Sequence, residues 1–283
     1  CIFCVNSEDN REKKCLADSS VKRLLDEGRK NQAKEVVFTG GEPTLFKKLF
    51  EWANYAKRLD YNKVMIITNG RLLSNKEYTK KLIKAGVNKF MVSVHGMEKT
   101  HDKLTRVKGS FRQTIKGIKN LKVLNQKFIT DTVANKLNYK ELPKLIDFLI
   151  KKGAEVCQID FVIPCGNAWK YKEKIIPTFT EVVPYIKKTI KQEKVKGKDK
   201  NLLVMGVPQC FMVDCMEYIN EPNIPQIKIS SVDSQQNTED YNVHRVEGKI
   251  KPEKCSVCEY FNRCEGIWEN YVNMYGVEEI KPV

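Results

Sequence analysis

The sequence predicts an α/β protein: a parallel sheet built from repeated strand–helix units, followed by a small cysteine-rich C-terminal segment. Two observations carry this. Short β-branched runs alternate with amphipathic helical stretches from residue 34 to residue 163. Five of the ten cysteines are bunched at the two ends, as C-x-x-C at 1–4 and C-x-x-C-x5-C at 255–264.

In chain order, 34–38 reads as a strand and 46–59 as a helix. The strand 63–68 precedes a helix at 75–85, the strand 89–94 a helix at 111–125, and the strand 128–133 a helix at 139–152. A fifth strand covers 156–163. Helical spacing of three and four is plain in Leu142, Leu145, Ile146, Leu149 and Ile150. Gly86 and Gly153 stand where helix C-caps belong. Such a repeat implies parallel strands with right-handed crossovers. Periodicity alone does not choose between an open sheet and a barrel. After Pro164 the rhythm breaks: 176–191 reads as a helix, 202–205 as a short strand, and 207–283 as a loop-rich segment pinned by cysteines.

At 283 residues the chain can bury a full core as one large domain, or one domain plus a small one. No apolar run approaches the ~20 residues a membrane span needs, and no signal peptide is visible. Paired short cysteine spacings in a large α/β chain fit metal or cluster ligation better than a disulfide scaffold, which points to a reducing cytoplasm. The net charge of +15 suits a nucleic-acid or acidic partner. However, the excess is mostly Lys, as at Lys47, Lys48, Lys57, Lys80, Lys81, Lys84, Lys151 and Lys152, without interleaved aromatics. It reads better as solvated helix faces. The densest run, 188–200, reads as a helix end and loop.

In parallel βα folds, ligands bind at the C-terminal ends of the strands. Gly40-Gly41-Glu42-Pro43 follows the first strand, Thr68-Asn69-Gly70 ends the second, and Ser93-Val94-His95-Gly96 ends the third. Asn135 follows the fourth strand and Pro164-Cys165-Gly166-Asn167-Ala168 the fifth. Glycines let a backbone approach a ligand closely, and an exposed carboxylate such as Glu42 can hold an ammonium group. His95, His101, Asp102 and Arg106 lie in a polar loop at the same mouth. Arg106 offers a bidentate fork to a carboxylate, while a solvated loop is an equal reading for His101 and Asp102. Cys1 and Cys4 are soft thiolate ligands suited to iron and sulfur; a buried free pair or half a zinc knuckle is the plainer reading.

Cys1-Ile2-Phe3-Cys4 followed by a strand ending in Gly40-Gly41-Glu42-Pro43 resembles the radical S-adenosylmethionine (radical SAM) superfamily. The family motif is C-x-x-x-C-x-x-C. Cys1 and Cys4 match its last two cysteines, with the first expected three positions upstream of Cys1. Cys15 is a poor substitute. The chain is therefore expected to be truncated inside its own motif. The resemblance implies a partial six-stranded (β/α) TIM-like barrel with its first strand missing, over residues 1–200. It implies a 4Fe-4S cluster that leaves one iron open to S-adenosylmethionine (SAM), and contact of Gly40, Gly41, Glu42 and Pro43 with the methionine amino group. It also implies a ribose contact from Ser93, while Asn69, Arg106 and Asn135 are further mouth candidates. The loop at 164–168 resembles the segment beside the adenine.

Cys255, Cys258 and Cys264 give three further thiols, with Cys210 as the natural fourth and Cys215 competing for that place. This resembles the twitch domain, a shortened SPASM domain, over residues 201–283, and implies a second, auxiliary 4Fe-4S cluster. Zinc in a Cys4 site is the rival reading. Gly266, Trp268, Tyr271, Tyr275 and Gly276 are expected to pack a short helix over it.

The implied activity is reductive cleavage of SAM to a 5′-deoxyadenosyl radical that abstracts hydrogen from a peptide or protein side chain, with ferredoxin or flavodoxin as electron donor. The alternatives are a nucleotide or small metabolite, as in the molybdenum-cofactor cyclase, a non-catalytic iron–sulfur electron carrier, or an RNA modifier.

Overall fold

In the computed structural model, which describes residues 1–5, 16–224, 230–232 and 238–283, the strand–helix repeat forms as expected. Helix α1 (Asp18–Lys30) comes first, then β1 (Glu35–Phe38), α2 (Leu49–Arg58), β2 (Lys63–Thr68) and α3 (Lys76–Ala85). Strand β3 (Lys89–Ser93) is followed by α4 (Glu98–Thr105) and α5 (Ser110–Val123), and β4 (Phe128–Ala134) by α6 (Leu142–Lys152). Strand β5 (Val156–Phe161), the short α7 (Gly166–Lys170) and α8 (Lys172–Ile175), α9 (Phe179–Val195) and β6 (Leu202–Met205) complete the repeat. The six strands are parallel and lie in one sheet in sequence order. Register is printed in the chain by pairs such as Phe38 with Ile66, Thr68 with Val92, and Ser93 with Asp131. The short strand at 202–205, read from sequence outside the repeat, is the sixth member of this sheet.

The strands alternate: in β2, Val64, Ile66 and Thr68 are buried while Lys63, Met65 and Ile67 are half-buried, and β3, β4 and β5 repeat the pattern. A period of two on a parallel sheet gives one face packed under helices and one more open. Helix α2 buries Leu49, Trp52, Ala53 and Ala56, spaced as one helical face. Helix α3 starts at Asn75, whose side chain accepts from Tyr78 N, and ends at Gly86 in the left-handed region. Gly153, after α6, has φ +100°.

The described residues fall into two packed units. One comprises those within Cys1–Lys13, Val133–Asp147 and Gln158–Val283, the other those within Lys14–Thr132 and Phe148–Cys157. The C-terminal part of the first unit holds β7 (Ser230–Val232) paired antiparallel with β8 (Thr238–Asp240), α10 (Tyr241–His244), β9 (Lys249–Ile250) paired antiparallel with β10 (Ile267–Trp268), and α11 (Glu269–Tyr275). Helix α11 is the short helix expected after the last cysteine. Its Tyr271 is fully buried against Phe161 and Phe179 and accepts from Phe179 N at 2.8 Å. Among the described residues no helix is long and apolar enough to cross a membrane. Cys15 lies outside the described residues.

Two expectations need correction. Residues 98–105, read as a polar loop, form α4. Within it His101 is buried rather than solvated, and Asp102 accepts from Gly109 N, Phe111 N and Ser110 Oγ, capping α5. A capping carboxylate at a helix N-terminus meets donors the helix itself leaves unmatched.

Candidate functional site

In the unit that carries Gly40-Gly41-Glu42-Pro43, β1 ends in an exposed turn. Gly40 has φ +124°, and a Cβ added at Gly40 or Gly41 would meet no atom within 4 Å. The backbone is thus bare at the mouth end of the sheet, as a close-approaching ligand requires. Pro43 is buried at the start of a short 3-10 turn, Pro43–Leu45.

Glu42 is tied more firmly than its sequence suggests. Its Oε1 accepts from Thr44 N (3.1 Å), Thr44 Oγ1 (2.6 Å) and Thr68 Oγ1 (2.7 Å), and its Oε2 accepts from Asn69 N (2.7 Å). A carboxylate offers about four acceptor directions, so spare capacity remains only on Oε2. The side chain therefore first braces the β1 loop against the end of β2. Tyr78 OH donates to Thr44 O at 2.8 Å. Burial, then the Glu42 charge, push this phenol up to about 12.

Asn69 uses its Oδ1 to accept from Arg71 N at 2.9 Å, and its carbonyl accepts from Thr114 Oγ1. Ser93 ends β3, half-buried and opposite Asp131. His95 and His101 are buried with rings 6.0 Å apart, and His101 Nδ1 accepts from His95 N at 3.1 Å. Burial, and then His101, lower His95 to about 3; burial lowers His101 to about 4 against the opposing pull of Asp102. Both rings are neutral at physiological pH. Arg106 is exposed at the C-terminus of α4 in the left-handed region, φ +60°.

In the other unit, Cys1 is exposed and Cys4 half-buried on one turn, where Cys4 N donates to Cys1 O at 3.2 Å. Asn167 N donates to Cys4 O at 2.9 Å and Asn167 Nδ2 to Cys1 O at 3.3 Å. The two thiols are of the soft type a cluster takes. Asn135 is fully buried: its Nδ2 donates to Val133 O and its Oδ1 accepts from Leu137 N, so both side-chain atoms help build the turn after β4.

Cys210, Cys255, Cys258 and Cys264 line a single cavity with Pro208, Ile250, Phe261, Ile267 and Ile280. Burial, then the neighbouring Cys264, Cys258 and Cys255, push the Cys210 thiol up to about 11. Gly266 N donates to Cys264 Sγ at 3.4 Å. Cys215 is buried and absent from the lining, so Cys210 is the thiol this fold brings to the other three. Among the described residues no three His, Cys, Asp or Glu side chains stand grouped for a single metal ion. The four thiols instead surround a space with apolar walls, a donor set suited to an iron–sulfur cluster.

Sequence reading placed Thr68 at the strand end but not its bond to Glu42, and it missed Thr44 and Asn270. Thr68, a polar residue closing the apolar run of β2, was the available signal for the brace; Asn270, whose Nδ2 donates to Pro164 O at 3.0 Å, had none.

The model of the Radical SAM superfamily matches residues 1–149. The AdoMet-dependent heme synthase of Methanosarcina barkeri is 28% identical over 184 residues, covering 65% of this chain and 52% of that protein. A probable GTP 3′,8-cyclase of Sulfurisphaera tokodaii is 27% identical over 179 residues, covering 62% of this chain and 56% of that one. The chain thus spans about half the length of the curated relatives it matches. Among solved structures, Streptococcus suis SuiB bound to precursor peptide SuiA superposes with a TM-score of 0.68 at 17% identity, over 97% of this chain and 70% of that one. With an α/β sheet of this topology, a cysteine turn of the motif spacing and the glycine-rich turn after β1, the chain belongs to the radical SAM superfamily, enzymes that use a 4Fe-4S cluster and SAM.

Proposed function

We propose that this protein cleaves SAM reductively and directs the 5′-deoxyadenosyl radical to a hydrogen atom of a peptide or protein side chain. The observation that carries the SAM reading is the bare Gly40-Gly41 backbone held beside a Glu42 carboxylate with acceptor capacity left on Oε2. When bound, the cluster supplies one electron to the sulfonium. Cys1 and Cys4 are its thiolates in this chain. The Gly40-Gly41 backbone and Glu42 Oε2 take the methionine ammonium, and Pro43 stiffens that turn. Asn69, Ser93, Arg106 and Asn135 are the remaining residues we assign to the site. Arg106 is exposed and carries the charge that suits the methionine carboxylate. Asn69 and Asn135 contribute by shaping the turns that follow β2 and β4.

We assign residues 1–200 to the catalytic sheet and 201–283 to a twitch-like auxiliary domain, whose first strand joins that sheet. Cys210, Cys255, Cys258 and Cys264 hold the second 4Fe-4S cluster. The nine cysteines among the described residues are free, in keeping with a cytoplasmic enzyme served by a ferredoxin or flavodoxin.

The peptide substrate is supported by the likeness in fold to SuiB, which extends through the C-terminal domain. A nucleotide substrate is the second reading, favoured by the sequence match to probable GTP 3′,8-cyclases. The test is anaerobic: the full-length reconstituted protein, reduced with dithionite in the presence of SAM, is assayed chromatographically for 5′-deoxyadenosine. Product that rises with a peptide supports the first reading, and product that rises with GTP the second. Two intact clusters without any 5′-deoxyadenosine would reduce the protein to an electron carrier.

A further inference from the structure

In sequence the loop Pro164-Cys165-Gly166-Asn167 resembles the segment beside the adenine. Its contacts in the structure are with the cysteine turn. Gly166 has φ +55°, and a Cβ there would stand 2.1 Å from Val5 O and 2.7 Å from Cys4 O. No other residue type lets the α7 N-terminus come so close to the chain leaving Cys4. Asn167 is 97% buried by its 3% exposure, and its two donors reach the two carbonyls that flank the turn, N to Cys4 O and Nδ2 to Cys1 O. Cys1 O also accepts from Cys4 N, so the turn's own bond and the Asn167 side chain converge on one oxygen. The loop is itself held from behind, since Asn270 Nδ2 on α11 donates to Pro164 O at 3.0 Å.

We propose that Asn167 is a positioning residue for the Cys1–Cys4 turn, clamping both of its carbonyls so that the two thiols are presented in fixed directions. It acts through the backbone of the cysteines. A C-x-x-C turn without such partners samples many conformations. Holding it costs conformational entropy that these hydrogen bonds and the close seat on Gly166 offset. The clamp rests on the assignment of Cys1 and Cys4 as cluster ligands, but its existence as a contact does not.

Asn167→Asp keeps size and the backbone donor but removes the Nδ2 donor and sets a carboxylate oxygen against Cys1 O. The first readout needs no cluster. In the full-length apoprotein, alkylation of Cys4 by iodoacetamide, followed by peptide mass spectrometry, should run about 5-fold faster in Asn167→Asp than in wild type, the value of roughly one hydrogen bond. Alkylation of Cys258 should stay unchanged and serves as the folding control. The second readout is the electron paramagnetic signal of the reduced, reconstituted protein. The SAM-responsive component should shift or broaden in Asn167→Asp while the auxiliary component keeps its line shape. Gly166→Ala, which places a methyl on Val5 O, should reproduce both changes without touching any donor. Equal Cys4 alkylation and an unaltered SAM-responsive signal in both variants would overturn the clamp. A wild-type protein with no SAM-responsive signal would instead overturn the proposed function, leaving the alkylation result to judge the clamp.

Discussion

At the scale of single residues, the Glu42 carboxylate is a brace before it is anything else. Four donors from Thr44, Thr68 and Asn69 converge on it, so Glu42→Ala strands partly buried donors as well as removing the SAM contact we propose. A stranded donor costs about 1–3 kcal/mol. We expect Glu42→Ala to weaken SAM binding by roughly tenfold or more, read by calorimetric titration of the reconstituted protein; unchanged affinity would mean the carboxylate is a brace alone. Thr68→Val, which removes one donor and keeps the shape, should weaken binding less. The Gly-Gly-Glu-Pro string was legible because glycines and a carboxylate after a strand have few other uses. The brace was not, since nothing in the sequence says that Thr68 and Asn69 come within reach of position 42.

The buried histidine pair makes a different residue-scale prediction. Burial holds His95 at about 3 and His101 at about 4, below their ordinary 6.5. A depressed folded value means that the unfolded chain takes up protons first as pH falls. The stability these neutral rings contribute is present in full above about pH 6.5 and is lost progressively toward pH 4 and below, by up to about 1.4 kcal/mol per pH unit for each ring. Urea midpoints measured from pH 7 to pH 4.5 should therefore fall. His101→Asn, whose Oδ1 can replace Nδ1 as acceptor for His95 N, should flatten that slope; an identical slope in the variant would place the titration elsewhere.

At the scale of elements, strands were legible almost residue by residue. The runs at 63–68 and 202–205 match β2 and β6, because short apolar runs between turn signals, β-branched in β2, leave little room for another reading. Helices α1 and α4 were not. Helix α1 buries only Ser20, Val21 and Leu25 over its 13 residues, and α4 buries His101 and Leu104. Neither shows the apolar period that marks α6. Helix α9 was legible but displaced, and the reason is its start. Thr178 and Glu181 form a reciprocal capping box, with Glu181 N donating to Thr178 Oγ1 at 3.2 Å and Thr178 N donating to Glu181 Oε2 at 2.9 Å. This fixes the first helical residue at Phe179, after Ile176 and Pro177, and the helix continues through Pro184 to Val195. Thr178→Ala should cost about 1 kcal/mol, seen as a lower denaturation midpoint with no change in SAM affinity. A full-size midpoint would show that the Glu279 carboxylate, which accepts from Thr180 N and Oγ1, suffices to hold the helix start.

At the scale of the whole molecule, the two groups of cysteines separate by what surrounds them. The first group is a two-thiol turn whose backbone is held by Asn167. The second is four thiols from two distant stretches of chain, 210 and 255–264, gathered at one apolar cavity. The short spacings at 255–264 announced the second group; the choice of its fourth thiol did not follow from spacing, because Cys210 and Cys215 are five residues apart and only the fold sends one of them inward to the cavity. That division makes a clean experiment. Cys258→Ala removes one of the four thiols of the second group and touches no residue of the first, so iron in the reconstituted full-length protein should fall by about four atoms per chain while the SAM-responsive signal stays. Cys210→Ala should do the same, and Cys215→Ala should leave iron unchanged. Loss of zinc in place of iron from the Cys258 variant would assign the C-terminal thiols to a structural zinc site, and iron unchanged in that variant would remove the auxiliary cluster from the proposal altogether.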